Sequence, residues 1–351
     1  MRRTRPFAAA VLAAALLWAP LPSADAFGPA KVATRQQTAE AKLLKEFERF
    51  ATASDGTVGI AIRDLTTGET IMLNGNTLFP MASTYKVAIA AAILDQVDKG
   101  ALTLDSMLPV EFNNLVSSDG IADFMRHPGM TLSVYNLLEL MLTRSDNSAT
   151  DILMKQAGGP EGVTAWLRVQ GVRDQRVDGN TAQLIYRAMG ITPGTGTYRQ
   201  NVDAALAANP ELRERDYRDL PNIVFAEDPR DTSTPDAMLA LLTKIGMGQA
   251  LAPASTQVLL DIMARCKTGN GRLKAFLPVG TSIVHKTGTL NGIGNDVGLI
   301  GLPGGGSFAI AVFVMKDTKG GEVRNRIMAD AARAAYDYFL FAHATKGRDR
   351  T

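Results

Sequence analysis

The chain has 351 residues, 46% hydrophobic and 21% charged, which suits a globular protein with a sizeable core. A net charge of +2 gives no pull toward nucleic acid, and the scattered His127, His285 and His343 offer no paired ligands for zinc. Cys266 is the only cysteine, so no internal disulfide forms and packing must supply the stability. Its setting, Ala264-Arg265-Cys266-Lys267, reads as the basic end of a helix, where the dipole opposes a thiolate; this marks a structural cysteine.

At the N-terminus, Arg2, Arg3 and Arg5 precede an apolar run from Phe7 to Trp18, and Ala24-Asp25-Ala26 is a cleavage site. Residues 1–26 are therefore expected to be an export signal, too short to leave a stable membrane span, with a periplasmic or secreted product. Residues 38 to 50 carry Ala39, Leu43, Leu44, Phe47 and Phe50 at helical spacing. Residues 57 to 65 alternate, with Val58, Ile60 and Ile62 on one face, and after the turn Thr66-Thr67-Gly68-Glu69 a second strand runs over 70–73. Ser83 stands just before a helical run, Tyr85 to Gln96, ended by Gly100. Helical patterns then dominate: 133–144, 147–156, 160–170 and 235–244, the last with Thr234 as cap and Pro235 at the first position. Strands return at 282–286, 296–301 and 307–315, and a final helix over 322–342 carries Ile327, Ala331, Ala335, Tyr338 and Phe339 on one stripe. The economical fold is an antiparallel sheet of about five strands covered by the two terminal helices, with an all-helical second lobe. Residues 36–82 and 278–345 would form the first lobe and 83–277 the second, with an insertion at about 188–225.

Three short runs carry chemistry. In Ser83-Thr84-Tyr85-Lys86, one helical turn puts Lys86 beneath the Ser83 hydroxyl, and the helix N-terminus favours an oxyanion while depressing the amine's pKa. A buried neutral Lys86 would take the serine proton. In Ser145-Asp146-Asn147, Ser145 would pass a proton to a leaving nitrogen and Asn147 would bond a substrate amide, while the run also caps a helix. Lys-Thr-Gly occurs twice. Lys267-Thr268-Gly269 reads as a helix end and loop, whereas Lys286-Thr287-Gly288 lies on a strand that would pair with a peptide-like substrate. The backbone N–H groups of Ser83 and Thr289 would form an oxyanion hole, each such donor being worth about 10²–10³ in rate. Arg272 would pair with a substrate carboxylate beside Lys286 and Thr287. No G-x-S-x-G elbow is present, and neither metal nor cofactor is expected.

With these residues in place the chain resembles a class A β-lactamase, a branch of the penicillin-recognising serine hydrolases, over about residues 40 to 342. Further matches are Phe79-Pro80-Met81-Ala82, Ala157-Gly158-Gly159-Pro160, Arg230-Asp231-Thr232-Ser233-Thr234-Pro235 and Thr268-Gly269-Asn270-Gly271-Arg272. The resemblance implies a β-lactamase/transpeptidase-like fold and a β-lactam-binding Ser83, served by Lys86, Ser145, Asn147, Lys286, Thr287 and Arg272. It also implies an omega loop, R-x-D-x-x-E-x-x-L-N, whose Glu activates the deacylating water. Here Arg176, Asp178 and Leu184 align, but Thr181 stands at the Glu position and Ile185 at the Asn position. A threonine hydroxyl is no base at neutral pH. Asn209-Pro210-Glu211-Leu212 offers an alternative alignment, again without the base; Asp178, Glu211 and Glu227 are the carboxylates weighed as substitutes.

Three functions follow from this: an exported serine β-lactamase, slow at deacylation or using a relocated base; a low-molecular-weight D,D-peptidase acting on D-Ala-D-Ala peptides; or a penicillin-binding sensor or trap held at the acyl stage. The neighbouring matches favour the first, acting as a monomer on a small-molecule β-lactam.

Overall fold

The computed structural model describes residues 35–118, 120–125 and 127–348, so the expected export signal lies outside the described residues. The chain falls into two compact units, Met1–Thr38 and Ala39–Thr351; the sheet and the site both belong to the second. Five antiparallel strands, β1 (Thr57–Asp64), β2 (Thr70–Leu73), β3 (Ile283–Leu290), β4 (Ile293–Gly301) and β5 (Ser307–Met315), lie in the order β2-β1-β5-β4-β3. The helices of eight or more residues are α1 (Arg35–Ala51), α2 (Lys86–Asp98), α3 (Val134–Thr143), α4 (Asn147–Gln156), α5 (Gly159–Val169), α6 (Thr181–Met189), α7 (Tyr198–Ala208), α8 (Pro210–Tyr217), α9 (Pro235–Gly246), α10 (Pro253–Ala264) and α11 (Gly321–Arg348).

The sheet is buried on both faces, which explains why its strands read as nearly continuous apolar runs. Alternation assigns the faces. Val58, Ile60, Ile62, Phe308, Ile310, Val312 and Val314 pack on Leu43 and Phe47 of α1 and on Ile327, Ala331, Ala335 and Phe339 of α11. The intervening Ala61, Ala309, Ala311, Phe313 and Met315 face the helical body. At the centre of that body, α2 buries every residue from Lys86 to Leu94. A helix apolar all round belongs inside, and the one charge there is Lys86. As its sequence signals require, α9 starts at Pro235 with the Thr234 hydroxyl accepting the Ala237 N–H at 3.0 Å.

Two expected boundaries move. β3 runs past the Lys-Thr-Gly triplet to Leu290, and β4 starts at Ile293 instead of Asp296. Pairing holds residue by residue from Ile283↔Ile300 to Leu290↔Ile293, so only Asn291-Gly292 remains for the turn. The insertion forms α7 and α8. Asn209-Pro210 is an N-cap and first helical residue, with the Asn209 side chain accepting from Leu212 N at 3.1 Å. The insertion reaches the β3–β4 turn through Asp216 on Asn291 at 2.9 Å and Asp219 on the Gly292 N–H at 3.1 Å.

Candidate active site

Ser83 lies in a 3₁₀ turn, Ala82–Tyr85, that leads directly into α2. The segment before it is tied to the sheet. Asn295 of β4, fully buried, donates its Nδ2 to the carbonyls of Pro80 and Met81, both at 2.9 Å. Ala82 takes φ 45°, an uncommon left-handed value for a residue with a Cβ, and one that this anchoring sustains. β3, an edge strand of the sheet, runs alongside. A Cβ on Gly288 would stand 2.6 Å from the Met81 carbonyl oxygen and 3.0 Å from the Ser83 nitrogen, so only glycine permits this approach.

Lys86 and Lys286 are both fully buried. Lys86 Nζ donates to the Ser145 carbonyl at 2.7 Å, to Asn147 Oδ1 at 2.8 Å and to Ser145 Oγ at 3.2 Å. From the other side, Lys286 Nζ donates to Ser145 Oγ at 3.0 Å and to the Thr287 carbonyl at 2.8 Å. Among the described residues no hydrogen bond joins Lys86 to Ser83 Oγ, contrary to the simplest reading of the serine–lysine spacing. A buried amine must fill its donor sites, and Ser145 and Asn147 supply three acceptors at once. Burial and the neighbouring Lys286 hold Lys86 well below the usual lysine range. Burial likewise brings Lys286 down to about 8, against the raising influence of Cys266 and Asp296.

The loop presenting Ser145 is held by Asp146, whose carboxylate accepts from Ala149 N and Ile121 N, each at 2.7 Å. Ser145 itself takes φ 61°, a second strained residue at the site. Asn147 is engaged at both ends, since its Nδ2 donates to the Ser117 carbonyl at 3.0 Å. Thr287 Oγ1 lies 2.6 Å from Thr268 Oγ1, so the Lys-Thr-Gly copy set aside as a loop contributes a hydroxyl behind the strand. Arg272 is built into the strand's end: its guanidinium bonds the carbonyls of Gly288 at 3.0 Å and Asn295 at 2.8 Å, and Thr289 Oγ1 at 2.7 Å.

Cys266 does not stand alone. His285 hydrogen-bonds it and also bonds Asp296 Oδ1 at 2.9 Å. Burial would push the thiol up, but the His285 bond and charge bring it to about 7; in return, Asp296 and Cys266 outweigh burial and raise His285 to about 10. The residues around Cys266 give no sign of this neighbour, which comes from a different element.

Thr181 opens α6 and is buried, with its hydroxyl 2.7 Å from the Tyr85 hydroxyl and its N–H donating to Asp151 Oδ1 at 2.7 Å. The carboxylates weighed as substitutes lie elsewhere. Asp178 is clamped by Arg176 at 2.9 Å, Glu227 pairs with Lys316 at 2.6 Å, and Glu211 is exposed in the first turn of α8. Asp151 was missed, although it stands four residues after Asn147 and so on the same face of α4. Tyr85 was passed over in the same way, inside the serine–lysine motif itself.

Residues 42–339 match the model of the beta-lactamase enzyme family. The chain is 29% identical over 307 residues to beta-lactamase VEB-1 of Pseudomonas aeruginosa, covering 85% of this chain and 90% of that enzyme. It is 28% identical to the carbapenem-hydrolyzing beta-lactamase KPC of Klebsiella oxytoca, covering 86% and 90%. A solved ancestral class A beta-lactamase, GNCA, is similar at 31% identity with a TM-score of 0.69, over 84% of this chain and 99% of that one.

Proposed function

The chain belongs to the β-lactamase enzyme family, as a class A serine hydrolase, and from that premise we propose that it is exported and opens β-lactams through an acyl-enzyme on Ser83. The observation that carries the reading is the convergence of two buried amines on one hydroxyl, Lys86 at 3.2 Å and Lys286 at 3.0 Å from Ser145 Oγ. Burial and the neighbouring Lys286 favour the neutral form of Lys86, which gives up one of its three donated bonds and accepts the Ser83 proton as Oγ attacks the lactam carbonyl. The C–N bond breaks and the nitrogen receives its proton from Ser145, which is resupplied by Lys86. The N–H groups of Ser83 and Thr289 hold the oxyanion. Lys286, Thr287 and Arg272 receive the substrate carboxylate, charge-assisted bonds being the strong ones. Asn147 meets the substrate amide by exchanging one of its present partners.

Thr181 at the omega-loop position supplies no carboxylate base, so release would be slower than capture, and this supports the peptidase and trap readings beside the first. The leader of residues 1–26 supports export to the periplasm or beyond, and among the described residues no helix is long and apolar enough to cross a membrane. Incubation of the mature protein with a chromogenic cephalosporin, following colour and protein mass together, tests the reading. Sustained turnover supports it. A permanent adduct would make the protein a trap, and release of D-alanine from a stem peptide without cephalosporin turnover would make it a peptidase.

A further inference from the structure

We propose that Asp151, acting through the hydroxyl of Thr181, accepts the proton of the water that releases the acyl group; this rests on the acyl-enzyme reading above. Asp151 accepts the Thr181 N–H at 2.7 Å, and the Thr181 hydroxyl and the Ala182 N–H are near enough to draw its carboxyl down. The Thr181 oxygen is 2.7 Å from the hydroxyl of Tyr85, two residues beyond Ser83 in the same 3₁₀ turn. A carboxylate, a relay hydroxyl and a second hydroxyl therefore form one chain leading from α4 to the nucleophile's own turn.

Capping α6 accounts for the two backbone bonds but leaves the hydroxyl chain unexplained. Nor is the carboxylate sealed off. Asp151 keeps part of its surface and lines a cavity of about 890 Å³, walled by Asn180, Ala182, Tyr186 and Tyr198, whose lining does not include Ser83, Lys86 or Lys286. Burial raises the Asp151 carboxyl above the usual range, against the bonds from Thr181 and Ala182 and the charge of Lys86. That brings it closer to the basicity a proton acceptor needs near neutral pH.

In the step itself, the water oxygen bonds to the acyl carbon while one water proton passes to the Thr181 oxygen and the Thr181 proton moves to Asp151. When the tetrahedral adduct collapses, the bond from carbon to Ser83 Oγ breaks and Oγ takes the proton that Asp151 returns through the Thr181 hydroxyl, leaving the free acid and the free serine.

The test follows the Ser83 adduct by mass after a single turnover of a cephalosporin, measuring acylation and deacylation separately. Asp151→Asn keeps an oxygen to accept from the Thr181 backbone, so a purely capping role predicts the wild-type adduct lifetime. The relay predicts a lifetime about 10²–10⁴-fold longer, with acylation slowed far less. Thr181→Val should lengthen it similarly and Thr181→Ser should restore it, and this pair decides the matter should Asp151→Asn fail to fold. Wild-type lifetimes in both Asp151→Asn and Thr181→Val would overturn the relay alone. Absence of any adduct on the wild-type protein would overturn the acyl-enzyme reading and the relay with it.

Discussion

Replacing Gly288 by alanine probes the closeness of β3 to the nucleophile. The new Cβ would sit 2.6 Å from the Met81 carbonyl oxygen, where ordinary contact begins at 3.4 Å, and 3.1 Å from the Ala82 Cβ. Neither side yields cheaply. The Met81 carbonyl already accepts from Asn295 Nδ2 at 2.9 Å, Thr84 Oγ1 at 2.8 Å and Thr84 N at 3.1 Å, while β3 is pinned to β4 along its whole length. The strand must retreat by the better part of an ångström. Overpacking of this kind costs about 1–3 kcal/mol of stability, and a displacement of about 1 Å at reacting groups costs about 10²-fold in rate. Quenched-flow mass spectrometry should show acylation of Gly288→Ala slowed by about that factor, with a melting temperature lowered but the fold retained. Gly321→Ala, whose Cβ meets nothing nearer than 3.7 Å, is the control. Wild-type acylation in Gly288→Ala would refute the claim that the strand edge is part of the site.

Further outcomes follow from the same contacts. Lys286 titrates at about 8, so it is charged below that pH and neutral above it; acylation of a carboxylate-bearing β-lactam should fall by about tenfold per pH unit above that point, and a flat profile to pH 10 would contradict its role in binding. Thr181→Glu places a second carboxylate against Asp151, and like charges cannot both ionise easily. The double variant Thr181→Glu/Asp151→Asn should therefore deacylate faster than Thr181→Glu alone; equal rates would show that the two positions do not interact. Asn295→Ala removes the donor shared by the Pro80 and Met81 carbonyls. Urea unfolding should show a loss of at least about 1–3 kcal/mol, the usual penalty for leaving a buried group unpaired, and an unchanged midpoint would mean that the turn before Ser83 needs no anchor.

The parts of this molecule legible in its sequence are those where local pattern and tertiary packing agree. Alternation placed Val58, Ile60 and Ile62 on one face of β1, and they pack there against the terminal helices. Thr234-Pro235 announced α9, and the structure starts that helix at Pro235. What the sequence concealed are contacts between elements distant along the chain. Asp151 meets Thr181 only because α4 and α6 pack together, and Asn295 meets Pro80 across 215 positions. The extension of β3 was hidden because Gly288 and Gly294 look like turn residues, whereas Gly288 is required by the approach of Ser83 and Gly294 lies against Arg324. The Asn209-Pro210-Glu211-Leu212 run reads two ways, since the residues that suggest an omega loop are also those that begin a helix.

The central claim is that Ser83 carries the acyl group. Peptide mapping of the mature protein, acid-quenched within one turnover of a cephalosporin, tests it most directly. The account predicts a mass increase equal to the opened β-lactam on the peptide containing Ser83, and none on the Ser83→Ala protein. An adduct elsewhere, or one that survives Ser83→Ala, would contradict it.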